Sequence, residues 1–396
     1  MSGIDFKCLF HSEYTAKFNP YSRKIFSKLN RCHTASMGVH TFRCIDINCG
    51  HLHYQYHSCG DRHCPNCGEM KRDEWVENQM HDLLPTSYYH VVFTLPSELR
   101  SLVLGNRKIM YDLLFDASSE TLLTIAKDST YLGGTPGITS VLHTWGQDLS
   151  FHPHIHCIVS GGGIDKDENW ISEKRKNRKF LYPKAVMQKV YKGIFMKNLR
   201  HLYLKNKLKI AECTDWNQLL STIGAKDWNV YAKAPFGGPE QVVSYLGKYT
   251  HKIAITRHRI TALSEDSISF RYRDYQDGNQ TKEMTLSHQE FVRRFELHIL
   301  PKRFIKIRHY GYLQNYKKKE RIDRIYRKMG LPRRSAIVKV PVHIRLLEKT
   351  GRDIRRCPLC QKSKLELLKT RREPVPAMES KPKLSQYYKN LSHEPP

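Results

Sequence analysis

Paired cysteines near the N-terminus constrain the fold of this 396-residue chain more than any other feature. Cys44 and Cys49 enclose four residues, Cys64 and Cys67 enclose two, and the residues between the pairs alternate as in a β-hairpin. Two cysteine pairs on turns that flank a hairpin are typical of a zinc ribbon, in which four thiolates close a tetrahedron around a structural ion. We therefore predict one structural Zn²⁺ site with these four ligands.

Other residues of the same block leave the ligand set open. Cys59, His57 and His63 are alternatives: one of them could replace Cys49, or they could form a second site. The chain has 11 cysteines, an odd and clustered set, and neither a signal peptide nor a membrane span is expected from its apolar runs. This pattern suits metal binding in a reducing cytoplasm better than a disulfide framework.

Four cysteines elsewhere are interpreted separately. Cys8 and Cys32 belong to a mostly helical start of the chain, residues 1 to about 35, and are expected to be ordinary core residues. Cys357 and Cys360 form a further two-residue-spaced pair with no partner pair nearby. This pair could bind zinc with distant cysteines, bind zinc with another chain, or be an incomplete ribbon, and the sequence does not choose among these.

A second feature is the stretch VLHTWGQDLSFHPHIHCIVSGGG at residues 141–163. Its apolar, β-branched run closed by glycines predicts a buried strand, on which His154 and His156 leave the same face and could share one metal ion. If the preceding strand pairs with it as a hairpin, His143 comes alongside as a third ligand, and Gln147 in the loop is a rival. The competing interpretation is a chance pair of histidines without metal.

The segment EQVVSYLGKYTHK at residues 240–252 predicts a helix, because Pro239 precedes it and Glu240 lies in its first turn. Tyr245 and Tyr249 are one turn apart on one face, and Lys252 belongs to a neighbouring basic stripe. Two tyrosines at this spacing are more often packing residues than nucleophiles. Gly247 lowers helix propensity, which predicts the close approach of another group such as DNA or the histidine strand.

The charge balance indicates a polyanionic partner. Lysine and arginine number 66 against 38 acidic residues, which gives a net charge of +28. Basic residues interleaved with tyrosine and phenylalanine favour a groove that binds single-stranded nucleic acid. No G-x-x-x-x-G-K-S/T loop occurs, so a built-in helicase activity is not expected.

Together these features predict one chemistry. A metal held by the histidines would act as a Lewis acid on a scissile phosphate, and a tyrosine would attack it to leave a 5′-phosphotyrosine and a free 3′-hydroxyl. Because free tyrosine has a pKa near 10, the metal and Lys252 would have to assist its deprotonation.

Taken together, the motifs FRC…CG…SCGDRHCPNC, HTWGQDLSFHPHIHCIVSGGG, YLGKYTHK and HILPKRFIKIRHYGYL resemble the two-tyrosine HUH transposases of bacterial rolling-circle insertion sequences. The resemblance implies an α+β fold, with an antiparallel-sheet HUH endonuclease core, flanking helices and a preceding zinc-ribbon module. It also implies that His154 and His156 hold Mg²⁺ or Mn²⁺, and that Tyr245 and Tyr249 are the nucleophiles. Single-stranded DNA at element ends would be the substrate, and host replication proteins are further candidate partners.

From these observations we predict three consecutive domains in a cytoplasmic, DNA-associated protein. They are a helical and zinc-ribbon module at residues 1–85, a nuclease core at residues 86–300, and a basic region with a cysteine pair and a disordered tail at residues 301–396. Two other functions fit the same residues: a non-catalytic zinc-ribbon DNA-binding protein, and a replication initiator or relaxase with the same chemistry.

Overall fold

The chain folds into two compact units, each assembled from segments that are distant in sequence. The computed structural model describes residues 5–173, 181–233, 241, 247, 254–274, 277–332 and 340–372. The terminal unit comprises Met1–Met70, Ile255–Val292 and Ala336–Pro396, and the central unit comprises Lys71–Ala254 and Arg293–Ser335. The three domains predicted from the sequence are consecutive segments of the chain, and that division stays a prediction.

Both units combine helices with antiparallel strands, which confirms the predicted α+β class. The described helices are α1 (Ser12–Thr15), α2 (Pro20–Arg31), α3 (Gly68–Asp82), α4 (Arg100–Gly105), α5 (Arg107–Lys127), α6 (Lys184–Leu204), α7 (Trp216–Ala225), α8 (His288–Glu296), α9 (Lys318–Lys328) and α10 (Val342–Thr350). The described strands are β1 (Val39–Cys44), β2 (Leu52–Tyr56), β3 (Tyr88–Thr94), β4 (Thr135–Trp145), β5 (Phe151–Ile164), β6 (Trp170–Ser172), β7 (Val230–Ala232), β8 (Ile260–Leu263), β9 (Ser267–Asp274), β10 (Gln280–Ser287), β11 (Ile307–Gly311) and β12 (Leu365–Arg371). Within the described residues, no helix has the length and apolar content that crossing a bilayer requires.

The central unit is organised around an antiparallel sheet of strand order β11-β4-β5-β3-β7, with β6 added to β5. Strands β4 and β5 form the predicted hairpin, because a tight turn at residues 146–150 reverses the chain. In this turn the Gly146 N–H donates to the carbonyl oxygen of Ser150 (2.9 Å), and the Ser150 hydroxyl donates to Asp148 Oδ1 (2.7 Å). Leu149 adopts a left-handed conformation with φ 62°.

One face of this sheet packs against two long helices. Side chains of β5 and β3 that share this face are buried with side chains of α5 and α6, and they include Ile155, Cys157, Val159, Val91 and Phe93. Alternate residues of a strand point to opposite faces, so the histidines at positions 154 and 156 are directed to the other face. Burial of the first face therefore fixes the register that presents the histidines.

The opposite face, here called the histidine face, carries a smaller apolar patch. Tyr88, Val141 and Ile158 are buried there, with Trp75 of α3 packed against them. Val141 pairs with His156 in the β4–β5 register, so this patch borders the histidines. Helix α3 is thereby fixed on the same side of the sheet as the histidines.

The terminal unit contains two three-stranded antiparallel sheets among its described residues, of strand order β12-β1-β2 and β10-β9-β8. Phe6, at the centre of an aromatic cluster, packs edge-on against Phe10 and Phe291 with ring centroids 5.8 and 5.6 Å apart. Phe10 in turn contacts Phe26 of α2 at 5.2 Å. Aromatic packing thus joins the N-terminal helices to α8 in the part of that helix that belongs to this unit.

Two local features follow from turn and helix signals in the sequence. Asp277-Gly278-Asn279 is a turn signal between β-rich segments, and β9 and β10 pair across this turn with φ 55° at Gly278 and 67° at Asn279. Residues 102–127 have the apolar spacing of a helix, and the structure divides them between α4 and α5. The Asn106 side-chain amide donates hydrogen bonds to the carbonyl oxygens of Leu102 (3.0 Å) and Lys209 (2.7 Å), and the helix is interrupted at this residue.

Candidate functional site

Three histidines converge where β4 and β5 approach their connecting turn. His143 lies directly opposite His154 in the strand register, and His156 follows two residues later on the same face. The ring centroid of His143 lies 5.4 Å from that of His154 and 4.4 Å from that of His156. One nitrogen of each ring lies within 4.8 Å of the others, a spacing that can hold a metal ion. The predicted approach of His143 to the histidine pair is therefore confirmed as geometry.

Hydrogen bonds orient the imidazoles of the pair. Nδ1 of His154 lies 2.6 Å from the carbonyl oxygen of His152, which can only accept, so Nδ1 carries the proton and Nε2 the lone pair. Nδ1 of His156 lies 2.8 Å from Nε2 of His90. When His156 donates in this bond, its Nε2 carries the lone pair in the same way. Such outer contacts are the usual means of presenting histidine to a metal.

Burial opposes protonation of two of these imidazoles, those of His154 and His90. It lowers the pKa of His154 to about 3 and that of His90 to about 3, because a charged ring would lose its hydration in the interior. His143 and His156 expose only 3% and 8% of their surface. Neutral rings are the form that binds a metal, so the residues present fit a divalent ion. Three nitrogen donors suit Mn²⁺ better than Mg²⁺, which prefers oxygen ligands.

His90 is a residue that the sequence interpretation missed. It lies on β3, which pairs with β5 so that Val92 is opposite His156. The His90 ring stacks on the His156 ring with centroids 5.1 Å apart. Its signal was present in YYHVVFTL, where it interrupts a run of otherwise apolar and aromatic residues. That signal could not identify His156 as its partner, because the order of strands in the sheet is not a local property.

The predicted nucleophiles Tyr245 and Tyr249, and Lys252, lie outside the described residues. Gly247, which lies between the two tyrosines in sequence, is helical and buried. A Cβ added there would lie 2.4 Å from Val76 Cγ2, so the close approach expected at this glycine is to helix α3. Because the neighbouring Trp75 packs on the histidine face, Gly247 lies against a helix that is fixed on that face. Gln147, the rival third ligand, lies in the turn between β4 and β5.

One cysteine cluster combines part of the predicted zinc set with two other residues. Cys32, at the C-terminal end of α2, lies with its Sγ 3.4 Å from that of Cys67 and 3.6 Å from that of Cys64. Cys59 Sγ lies 3.7 Å from Cys67 Sγ. These four thiols form one group that can hold a metal. Cys59 is thus a member, as one alternative allowed. Cys32, expected to be an ordinary core residue, is buried and also lies among these thiols, whereas Cys8, for which the same was expected, is exposed.

The structure corrects the predicted grouping of the other pair. Cys44 and Cys49 do not share a cluster with Cys64 and Cys67 but form a second group with the C-terminal Cys357 and Cys360. The reason is sheet pairing: β12 lies along β1 and brings the C-terminal pair to the end of the β1–β2 hairpin. The two other candidate ligands, His57 and His63, belong to neither group.

Comparison with known proteins agrees with this arrangement. Residues 137–321, which include the three histidines, match a family described as "Putative transposase". Residues 6–95, which include the first cysteine cluster, match a family described as "Transposase zinc-binding domain". A zinc-binding family and clustered thiols together support structural Zn²⁺ in the terminal unit.

Two relatives extend the likeness over most of the chain. "Putative transposase y4qJ" of Sinorhizobium fredii is 38% identical over 355 residues, which span 87% of this chain and 88% of that protein. "Transposase for insertion sequence element IS801" of Pseudomonas savastanoi pv. phaseolicola is 30% identical over 314 residues, which span 77% and 74%. With the histidine pair and the cysteine-rich N-terminus in place, this chain belongs to the two-tyrosine HUH transposase family of bacterial rolling-circle insertion sequences.

Proposed function

We propose that this transposase nicks and rejoins single-stranded DNA at insertion-sequence ends through 5′-phosphotyrosine intermediates. The observation that carries the proposal is the convergence of three imidazoles, those of His143, His154 and His156, with ligand atoms within 4.8 Å of one another. No carboxylate belongs to this group in the described part of the chain. A set of three nitrogen ligands favours Mn²⁺, with Mg²⁺ as the alternative, and leaves coordination positions for phosphate and water.

The histidine face supplies the environment for phosphodiester cleavage. His143, His154 and His156 would hold a divalent ion there, which would supply Lewis-acid chemistry to the scissile phosphate. Tyr245 or Tyr249 forms a new P–O bond through its phenolic oxygen, and the bond from phosphorus to the 3′-oxygen breaks. The 3′-oxygen takes up a proton and leaves as a free hydroxyl. Lys252 is proposed to stabilise the phenolate, since an ordinary tyrosine is protonated at neutral pH.

Two tyrosines allow the reaction to be reversed onto a different strand. The phosphotyrosine conserves the energy of the cleaved bond, so a 3′-hydroxyl can attack it and rejoin DNA without a nucleotide cofactor. Residues at i and i+4 of a helix are neighbours on one face, so both phenols can serve the same metal in turn. One tyrosine can hold the donor end while the other cleaves the target.

The packing of α3 supports placing these tyrosines at the histidine face. Gly247 meets Val76, and Trp75 packs beside Val141, whose strand partner is His156. The net charge of +28 supports a DNA substrate, because each phosphate contact by lysine or arginine adds to affinity through release of counterions.

The test is incubation of the protein with Mn²⁺ and a labelled single-stranded oligonucleotide that carries an element end, followed by a denaturing gel. We expect a DNA–protein complex that survives denaturation, joined to the 5′ side of the break, and a product with a free 3′-hydroxyl. His154→Ala should abolish it, whereas His309→Gln, which alters a histidine on β11 outside the gathered group, should not.

Two outcomes favour other functions. Salt-sensitive binding to single strands without any covalent complex would favour a non-catalytic DNA-binding protein. A covalent complex formed at a plasmid or phage origin, but not at element ends, would favour a replication initiator or relaxase. The DNA that flanks the gene supplies the candidate ends for this comparison.

His90 offers a separate test of the metal site, because it contacts His156 and is not one of the three gathered ligands. We expect His90→Ala to weaken Mn²⁺ binding about 10- to 100-fold, as loss of such a supporting hydrogen bond usually does. Titration calorimetry with Mn²⁺ measures this change. His90→Asn, which keeps a hydrogen-bonding group, should recover part of the affinity, and wild-type affinity in His90→Ala would contradict the positioning role.

A further inference from the structure

We infer that Cys44, Cys49, Cys357 and Cys360 form a second structural zinc site, which completes a ribbon from the two ends of the chain. Cys44 lies beside Cys360, which is 316 residues away in sequence, and Cys49 lies beside Cys357, which is 308 residues away. The site is closed by four thiolates and so would be structural rather than catalytic. It depends on the terminal unit alone and not on the tyrosine chemistry proposed above.

The sulfur geometry fits zinc and excludes a disulfide. Sγ of Cys44 lies 3.7 Å from Sγ of Cys360, and Sγ of Cys49 lies 3.8 Å from Sγ of Cys357. A disulfide would bring sulfur atoms to about 2.05 Å. A regular tetrahedron with Zn–S bonds of about 2.3 Å has edges of about 3.8 Å, which matches the separations between these thiols.

The two cysteine pairs lie on turns of the same design. In the first, the N–H groups of Cys49 and Gly50 donate to the Asp46 carbonyl (3.0 and 2.9 Å), and Gly50 has φ 54°. In the second, the Gln361 N–H donates to the Cys357 carbonyl (2.9 Å), and Gln361 has φ 54°. The left-handed conformation strains a non-glycine residue, so it persists where surrounding contacts enforce it. Each pair therefore resembles one half of a zinc ribbon.

Sheet pairing brings the two turns to the same end of one sheet. Strand β12 runs antiparallel to β1 from Val39 opposite Arg371 to Cys44 opposite Leu365. The Ile45 N–H extends this ladder by donating to the Lys364 carbonyl (3.1 Å). The strand order β12-β1-β2 thus provides the three strands of a ribbon, two from the N-terminal segment and one from the C-terminal segment.

The C-terminal segment has almost no apolar core to hold it in place. Within residues 340–372, Cys357 is the only buried residue, and it is completely inaccessible. A short segment that buries so little apolar surface usually needs a metal or a cross-link to be ordered. Zinc bound by Cys357 and Cys360 supplies that link, and it fastens the end of the chain to β1.

The experiment is measurement of zinc per chain in purified full-length protein by mass spectrometry of the metal. We expect two zinc ions in the wild type and one in Cys357→Ser. Cys8→Ser, which changes an exposed cysteine of the same unit, should retain two. Two zinc ions in Cys357→Ser, or one in the wild type, would overturn the second site.

Alkylation of the wild type avoids any doubt about folding of the variants. As a chelator is added in steps, the four thiols of the second site should become reactive together, whereas the exposed Cys8 and Cys213 react from the start. Reaction of Cys357 and Cys360 before any chelator is added, with Cys44 and Cys49 still protected, would contradict a shared ion. Zinc content and alkylation do not depend on DNA cleavage, so failure of this site can be distinguished from failure of the proposed tyrosine chemistry.

Discussion

Replacement of both Tyr245 and Tyr249 by phenylalanine is expected to abolish the covalent DNA–protein complex. The change removes two hydroxyl groups and keeps both rings, so the phosphate loses its nucleophile while packing is largely preserved. Cleavage should fall by roughly three orders of magnitude or more, as removal of a nucleophile does in other enzymes that form covalent intermediates. Denaturing gels of reactions with Mn²⁺ and single-stranded element ends measure the effect.

Single substitutions and a matched control sharpen this result. Tyr245→Phe and Tyr249→Phe alone should each still form a complex, because the other phenol can attack. Tyr231→Phe, at an exposed tyrosine of β7 in the central unit, should react as the wild type. A complex of normal yield in the double variant would show that neither tyrosine is the nucleophile.

Cys64→Ser is expected to unfold the zinc-binding part of the terminal unit. Cys64 is a buried member of the cluster with Cys32, Cys59 and Cys67, and structural zinc contributes about 10–16 kcal/mol of binding free energy in small zinc domains. Loss of one thiolate should release the ion and expose the N-terminal segment to protease. The central unit should remain folded, since its sheet packs on its own helices.

Zinc content and limited proteolysis, measured together, test this expectation. Cys8→Ser supplies the control, because it removes an exposed thiol that belongs to neither cluster. Zinc content equal to that of the wild type after Cys64→Ser would argue against a site at this cluster. Protease cleavage confined to the central unit would contradict the prediction that Cys64→Ser unfolds the terminal unit.

The histidine site was predictable because it depends on local rules. Alternation along a strand places His154 and His156 on one face, and a short connection makes the adjacent strand pair as a hairpin that carries His143. No long-range information is needed for these three residues. His90 was missed because it reaches His156 through the neighbouring strand β3, and strand order depends on the packing of the whole sheet.

The cysteine sites show the opposite case. Spacing identified the paired turns correctly, but spacing cannot state which turns share an ion. Cys32 enters from the end of α2, and Cys357 and Cys360 enter from the other end of the chain. Those partnerships follow from the way β1 pairs with β12 and from where α2 ends, which are results of tertiary packing. The predicted set of four ligands therefore combined halves of two clusters.

Electron paramagnetic resonance of bound Mn²⁺, with detection of couplings to ligand nitrogen, tests the central claim most directly. With wild-type protein we expect nitrogen couplings from the imidazoles of His143, His154 and His156, whose ligand atoms lie within 4.8 Å of one another. His156→Ala should remove one coupling and weaken binding. A spectrum without nitrogen coupling, or one that His156→Ala leaves unchanged, would contradict a metal centre at the histidine face.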